Sequence, residues 1–240
     1  MQTALLWAAA GTGFTFLMTT LGAASVFLFR KRNSMLLQRV FLGFAAGVMI
    51  AASVWSLLIP AIEMAEEQGV TGWIPAAGGF ALGGLFLFLL DHLLPHQHVG
   101  SDKPEGIRAH LGKSTMLVFA VTLHNIPEGL AVGLSFAVAA NSGGDTVTLA
   151  SAFALALGMA LQNVPEGAAI SLPLKQEGLR NGKAFLWGAM SGAVEPVAAV
   201  AGVLLIGSIT GLMPWLLAFA LRADGWYLRS DIIWMKANPM

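Results

Sequence analysis

The chain has 240 residues, of which 56% are hydrophobic and 11% charged, well below the roughly 25% charge of soluble domains. Its 13 basic and 13 acidic residues cancel, which leaves no nucleic-acid footprint, and the absence of Cys excludes disulfides and thiolate metal sites. With 28 Gly, the composition suits helices that pack closely in lipid.

Taken in chain order, residues 3–29, 40–62 and 69–90 contain no Asp, Glu, Lys or Arg, and each is long enough to span a bilayer. Two further apolar stretches, 114–140 and 146–174, are interrupted only by motif residues, and a sixth, 184–207, contains one Glu. A seventh begins near Leu212 and stops at Arg222. The fold class expected is therefore all-α, a polytopic transmembrane bundle of six full spans and a partial seventh. The first stretch is too long for a signal-peptide core and reads as a retained helix.

The basic residues then fix an orientation. Arg30, Lys31, Arg32 and Arg39 follow span 1; Lys103, Arg108 and Lys113 follow span 3; Lys175, Arg180 and Lys183 follow span 5. Arg222, Arg229 and Lys236 follow the seventh segment. The opposite loops carry Glu63, Glu66, Glu67 and Asp145 and no base. The positive-inside rule predicts an N-terminus outside the cytoplasmic membrane and cytoplasmic loops after spans 1, 3 and 5. The longest loop, 91–113, holds His92, His96, His98 and His110, and its Gly, Pro and polar content suits a solvated connection more than a metal-binding tract. Small-xxx-small pairs recur at Gly43 and Gly47, Gly79 and Gly83, Gly129 and Gly133, and Gly188 and Gly192, where they predict close helix packing.

Three acids, Glu128, Glu166 and Glu195, sit deep inside apolar stretches. A charge at the bilayer centre costs about 3 kcal/mol on insertion scales, and no intramembrane base accompanies these three. Protons or a cation must neutralise them. Two of the acids belong to a repeated motif, HNIPEGLA at 124–131 and QNVPEGAA at 162–169, on consecutive and hence antiparallel spans. Inverted copies imply a pseudo-two-fold axis in the membrane plane, with a binding site at their interface.

The spacing suits a cation. His124 and Glu128 are four apart, Asn125 and Glu128 three apart, and Gln162, Asn163 and Glu166 repeat the pattern. Pro127 and Pro165 remove the helical partners of the Leu123 and Leu161 carbonyls, which predicts kinks with exposed backbone oxygens. One imidazole, three carboxylates and several amides suit Zn²⁺, Fe²⁺, Mn²⁺ or Cd²⁺ as a transported substrate, not a resident cofactor. Glu195 is followed by Pro196, which predicts an acid next to a helix break there, and it completes a second metal position or carries a proton. Met49 on span 2 offers a thioether, although packing is the more frequent role of such a residue. The triplet Pro104-Glu105-Gly106 lies in the charged loop without a preceding Asn and receives no role.

These motifs resemble the ZIP (Zrt/Irt-like) metal transporters, in particular the GufA-like bacterial branch. The likeness is carried by HNIPEG and QNVPEG, by GFAAGVMIAASVWSLLIPAIE on span 2, by the His-containing loop and by Glu195. It implies an eight-helix fold with both termini outside, a binuclear metal centre between spans 4 and 5, and a bundle moving elevator-like against a scaffold that often forms a homodimer. By position, His124, Glu128, Gln162 and Glu166 form the principal metal site, and Asn125, Asn163 and Glu195 join the shared carboxylates beside it. Several relatives carry an acid or His where this chain has Gln162 and Asn163, so less negative charge is expected here.

The resemblance covers about residues 10–220, within a membrane domain of 1–221; the polar tail 222–240 departs from it and suggests a truncated or frame-shifted end. From Gly211 to Leu221 a helix reaches only about 16 Å. A membrane-embedded metal hydrolase is the rival from another class, but HNIPE is not HExxH and no acid/base partner accompanies it, so no enzyme is expected. A metal-independent proton or cation channel explains the acids but not the His, Asn and Gln clustered with them.

Overall fold

The computed structural model describes residues 2–28, 35–93, 113–144 and 146–205. The expected seventh segment, the tail 222–240, and His96, His98 and His110 lie outside the described residues, as does the side chain of Met49. Among the described residues there is no strand.

Span 1 is α1 (Gln2–Ala23) followed, after a turn at Ala24, by the short α2 (Ser25–Leu28). Span 2 is α3 (Met35–Ala52), a π-helical stretch (Ser53–Leu58) and α4 (Ile59–Glu67), in continuous succession. Pro60 is the second residue of α4 and directly follows the π-helical stretch. Span 3 is α5 (Trp73–Leu93), shifted toward the C-terminus from the expected 69–90, with Asp91 and His92 continuing the helix. Spans 4 and 5 are α6 (Lys113–Asn141) and α7 (Thr146–Gln176), and both run through their prolines, Pro127 in α6 and Pro165 and Pro173 in α7.

Span 6 is divided. It comprises α8 (Asn181–Ser191) and α9 (Val194–Leu205), separated at Gly192–Ala193. The interruption therefore precedes Glu195 instead of following it at Pro196. The reason is local: Pro196 lies in the first turn of α9, where its ring fits the helix and no N–H is required. Glu195 sits in that same first turn, where the unpaired amides of the helix start favour its negative charge.

By length and composition, Gln2–Leu28, Ala46–Glu67, Thr148–Gln176 and Asn181–Leu204 can each cross a membrane, and Trp73–Phe86 is a shorter apolar run. Helix α6 has 29 residues, about 43 Å, more than the hydrocarbon thickness, with its polar motif near the middle.

Packing follows the small residues. Helix α1 lies against α7, α6, α9 and α8, helix α6 against α9 and α7, and α3 against α7. A Cβ on Gly129 would meet the Glu195 backbone, and one on Gly133 would lie 2.6 Å from the Ala199 carbonyl oxygen, so α6 and α9 touch main chain to main chain. Gly188 approaches Ala23 and Ser171, and Gly192 approaches Thr19. These two expected pairs therefore serve close packing, whereas Gly43 and Gly47 have no such neighbour among the described residues. Two glycines not singled out in advance join α1 to α7: a Cβ on Gly22 would strike the Val164 carbonyl, and one on Gly167 the Thr19 carbonyl. At the end of α7, Gly178 adopts φ of 98°, a left-handed turn that closes the helix. Beside it, Lys175 Nζ donates to the Val26 carbonyl at 2.8 Å and joins α7 to α2.

Two apolar clusters bracket the middle of this body. One contains Ala4 and Ala8, Phe136, Leu155, Met159 and Val203; the other contains Val26, Val118, Ile170, Leu174 and Ala184. Helices α1 and α7 pass from the first cluster to the second along the chain, and α6 and the α8–α9 pair pass the other way. The inverted motifs on α6 and α7 thus run antiparallel, and a layer of polar side chains lies between the two clusters.

Candidate metal site

That layer is where the sequence-predicted residues meet. Glu128, Asn125 and Asn163 are fully buried, Gln162 and Glu195 are 1% exposed, and His124 is 6% exposed. Six polar or charged side chains with little or no solvent contact require an internal network, because each unsatisfied group costs roughly 1–3 kcal/mol.

On α6, one helical turn brings His124 Nε2 to 3.4 Å from Glu128 Oε1. From α7, Gln162 Nε2 donates to the same oxygen at 2.5 Å and to Asn163 Oδ1 at 3.0 Å, with Met159 Sδ at 3.9 Å. Asn163 Nδ2 then donates to Glu195 Oε1 at 2.9 Å, to Glu195 Oε2 at 3.1 Å and to the Thr15 carbonyl at 3.2 Å. Thr15 Oγ1 donates to Glu195 Oε2. The amide orientations are fixed by these neighbours: each NH₂ faces only acceptors, and reversing either would set oxygen against oxygen. The result is one connected line, His124–Glu128–Gln162–Asn163–Glu195–Thr15, crossing α6, α7, α9 and α1.

The remaining two predicted residues flank the line. Asn125 Nδ2 donates to the Ser191 carbonyl at 3.1 Å, just before the break between α8 and α9, while its Oδ1 is a buried acceptor that receives no hydrogen bond among the described residues. Glu166 lies one turn beyond Gln162 on α7, with both carboxylate oxygens screened from solvent. Among the described residues, no three of His, Asp and Glu converge as a metal-holding group. Gln162 and Asn163 stand between the His124–Glu128 pair and Glu195, so amides bridge the two carboxylates.

The contribution of α1 was not anticipated. Thr12, Thr15 and Thr19 are fully buried, and their hydroxyls reach carbonyls of α1 itself: Thr12 to Ala8 at 2.7 Å, Thr15 to Thr12 at 2.9 Å and Thr19 to Thr15 at 3.3 Å. The available signal was their spacing, i, i+3 and i+7, which puts three hydroxyls on one face of an otherwise apolar helix.

A family model described as "ZIP Zinc transporter" matches residues 97–221. The zinc transporter ZIP11 of Xenopus tropicalis is 37% identical over 295 residues, covering 93% of this chain and 87% of the relative. The human zinc transporter ZIP11 is 35% identical over 301 residues with the same coverage of 93% and 87%. The zinc transporter GufA of Myxococcus xanthus is 40% identical over 207 residues, covering 84% of this chain and 77% of the relative. The alignments with the two ZIP11 proteins are longer than this chain, so those relatives carry internal segments that it lacks. With its buried HNIPEG and QNVPEG motifs on antiparallel helices and matches that cover most of both partners, this chain belongs to the ZIP family of metal transporters.

Proposed function

We propose that this chain carries zinc across the cytoplasmic membrane and that the ion passes through the buried layer of α6 and α7, coordinated by His124, Glu128, Gln162 and Glu166, with Asn125, Asn163 and Glu195 beside it. The observation that carries this reading is the buried contact of His124, Glu128 and Gln162, an imidazole, a carboxylate and an amide at one place with no Lys or Arg among them. Iron(II), manganese(II) and cadmium(II) suit the same ligands.

The chemistry of loading follows from the network. The Gln162 NH₂ supplies the positive edge that faces Glu128 Oε1. A cation takes over that neutralising role. Rotation of the Gln162 amide about its terminal bond exchanges N for O and turns a repelling donor into a ligand. The same rotation withdraws the hydrogen bond from Asn163 Oδ1, which becomes a second available oxygen. Ligands of this kind hold zinc without thiolate and therefore allow its release.

The test is uptake into proteoliposomes containing a trapped zinc-sensitive dye. Zinc-dependent signal from the intact chain is expected; dye-silent vesicles at normal protein loading contradict the proposal. Within this assay, His124→Ala weakens zinc uptake more than manganese uptake, because imidazole favours zinc over harder ions. Equal losses for the two metals would remove His124 from the ligand set.

The reading extends to orientation. The turn at Ser142 should face outward and the turn at Glu177 the cytoplasm, as the placement of Lys175, Arg180 and Lys183 demands. Both residues are exposed, so a single Cys at each can be reached. An impermeant thiol reagent applied to cells should label Ser142→Cys and spare Glu177→Cys, and the reverse pattern inverts the topology.

A further inference from the structure

We infer that Thr15, on α1, is a positioning residue that holds Glu195 in place before the ion arrives and hands it over when the ion binds. This rests on the assignment of Glu195 to the ion pathway and adds to it a helix outside the motif-bearing spans.

The argument begins with the hydroxyl. A Thr side chain has one hydrogen to donate. Two acceptors lie within reach of Thr15 Oγ1, Glu195 Oε2 on α9 and the Thr12 carbonyl, at 2.9 Å, on its own helix. Only one of them can receive the proton at a time. While Glu195 is engaged, the Thr12 carbonyl does not need it. When Glu195 turns towards an ion, rotation of the hydroxyl to the Thr12 carbonyl leaves no buried donor unsatisfied. The cost of an unsatisfied buried donor is thereby avoided, and what the ion must overcome is only the difference between a hydrogen bond to a carboxylate and a weaker one to a neutral carbonyl.

The position of this hydroxyl is fixed by main-chain contacts. Gly22 meets the Val164 carbonyl and Gly167 meets the Thr19 carbonyl, so α1 and α7 are in backbone contact within the turn that follows Asn163 on α7 and within two turns after Thr15 on α1. The Thr15 carbonyl accepts from Asn163 Nδ2 at 3.2 Å, which ties the same residue to the other donor that Glu195 uses. Across the layer, Gly129 sets the Glu195 backbone against α6. Thr15 thus has its hydroxyl on one partner of the Asn163–Glu195 pair and its carbonyl on the other, held by contacts that side-chain rotation cannot relax.

The consequence is competition. An ion that draws on Glu195 must displace a donor, and Thr15 sets how readily this happens. Removing the hydroxyl removes the competitor, so the ion binds more tightly and leaves more slowly. Thr15→Val keeps the shape and deletes the donor. In proteoliposomes its apparent KM for zinc should fall about tenfold, equivalent to about 1.4 kcal/mol, and the maximal rate per reconstituted molecule should fall with it. Thr15→Ser keeps the hydroxyl and should retain wild-type KM and rate. A residue that serves only to maintain the fold would reduce the amount of working protein and leave KM unchanged. In a Glu195→Gln background, Thr15→Val should no longer change KM. If the Val variant does not accumulate, Thr15→Ala is read in its place, with the same fall in KM expected. An unchanged or raised KM, a Ser variant that behaves like Val, or a full effect persisting in the Glu195→Gln background would each overturn the inference. Wild-type KM and rate in Glu195→Gln alone would instead overturn the place of Glu195 in the pathway; altered kinetics in Glu195→Gln with none in Thr15→Val would overturn the role of Thr15 only.

Discussion

Glu128→Ala should abolish zinc uptake while the chain remains in the membrane, and Glu166→Ala should do the same. The first of these has the firmer structural basis. Glu128 is fully buried at the middle of α6, shares one oxygen with His124 and Gln162, and lies in a layer that holds no Lys or Arg among the described residues. A divalent ion there depends on the carboxylates for neutralisation. At an effective dielectric near 20, one unit charge 4 Å away contributes roughly 4 kcal/mol, and a doubly charged ion doubles this. Loss of one acid therefore lowers ion affinity by more than about a thousandfold. The fold survives because the Gln162 amide keeps Asn163 Oδ1 as an acceptor. Glu128→Gln, which keeps the shape and removes the charge, should lose uptake as well. Dye-loaded proteoliposomes give the rate, and quantification of the protein in membranes gives the denominator. Uptake at the wild-type rate in either alanine variant would end the assignment of that acid.

Much of this site was legible from residue order alone, and the reasons are geometric. The i, i+4 spacing of His124 and Glu128 required only a helix to bring them together, and a helix formed. The apolar runs between charges were long enough that only spans could result, and the alternation of spans required the two PEG motifs to run in opposite directions. The pairing of Gly129 with Gly133 announced a close helix contact, although not which helix would fill it.

What remained hidden depends on rotation and register between helices. Nothing in the order of residues says that Asn163 turns towards Glu195 while its neighbour Gln162 turns towards Glu128. Adjacent residues on a helix point about 100° apart, so each amide serves a different carboxylate. The interruption at Gly192–Ala193 was misplaced because Pro196 looked like the breaking residue. A proline in the first turn begins a helix as well as it ends one. Thr15 was passed over because hydroxyls in lipid-spanning helices are usually satisfied by their own backbone, and only the fold shows one reaching another helix.

Gly129→Ala should reduce zinc uptake at least tenfold, more than Gly133→Ala does. Both glycines sit on α6 against the main chain of α9, and the atoms that an added methyl would meet belong to backbone. No rotamer change relieves such a clash, so the helices must separate, and overpacking of this kind typically costs 1–3 kcal/mol. The two variants share that cost. They differ in what moves. At Gly133 the neighbour is Ala199, whose side chain is apolar and belongs to the packed cluster beyond the polar layer. At Gly129 the neighbour is Glu195 itself, at the start of α9, so the separation lifts its carboxylate from Asn163 and Thr15. Gly129→Ala thus carries the packing cost and also disorganises the site, whereas Gly133→Ala carries mainly the first. Thermal denaturation in detergent, followed beside uptake, separates the two contributions. Similar losses of melting temperature with a larger loss of uptake for Gly129→Ala are expected. Equal uptake in the two variants at equal melting temperature would mean that contact between α6 and the Glu195 backbone does not set the position of the carboxylate.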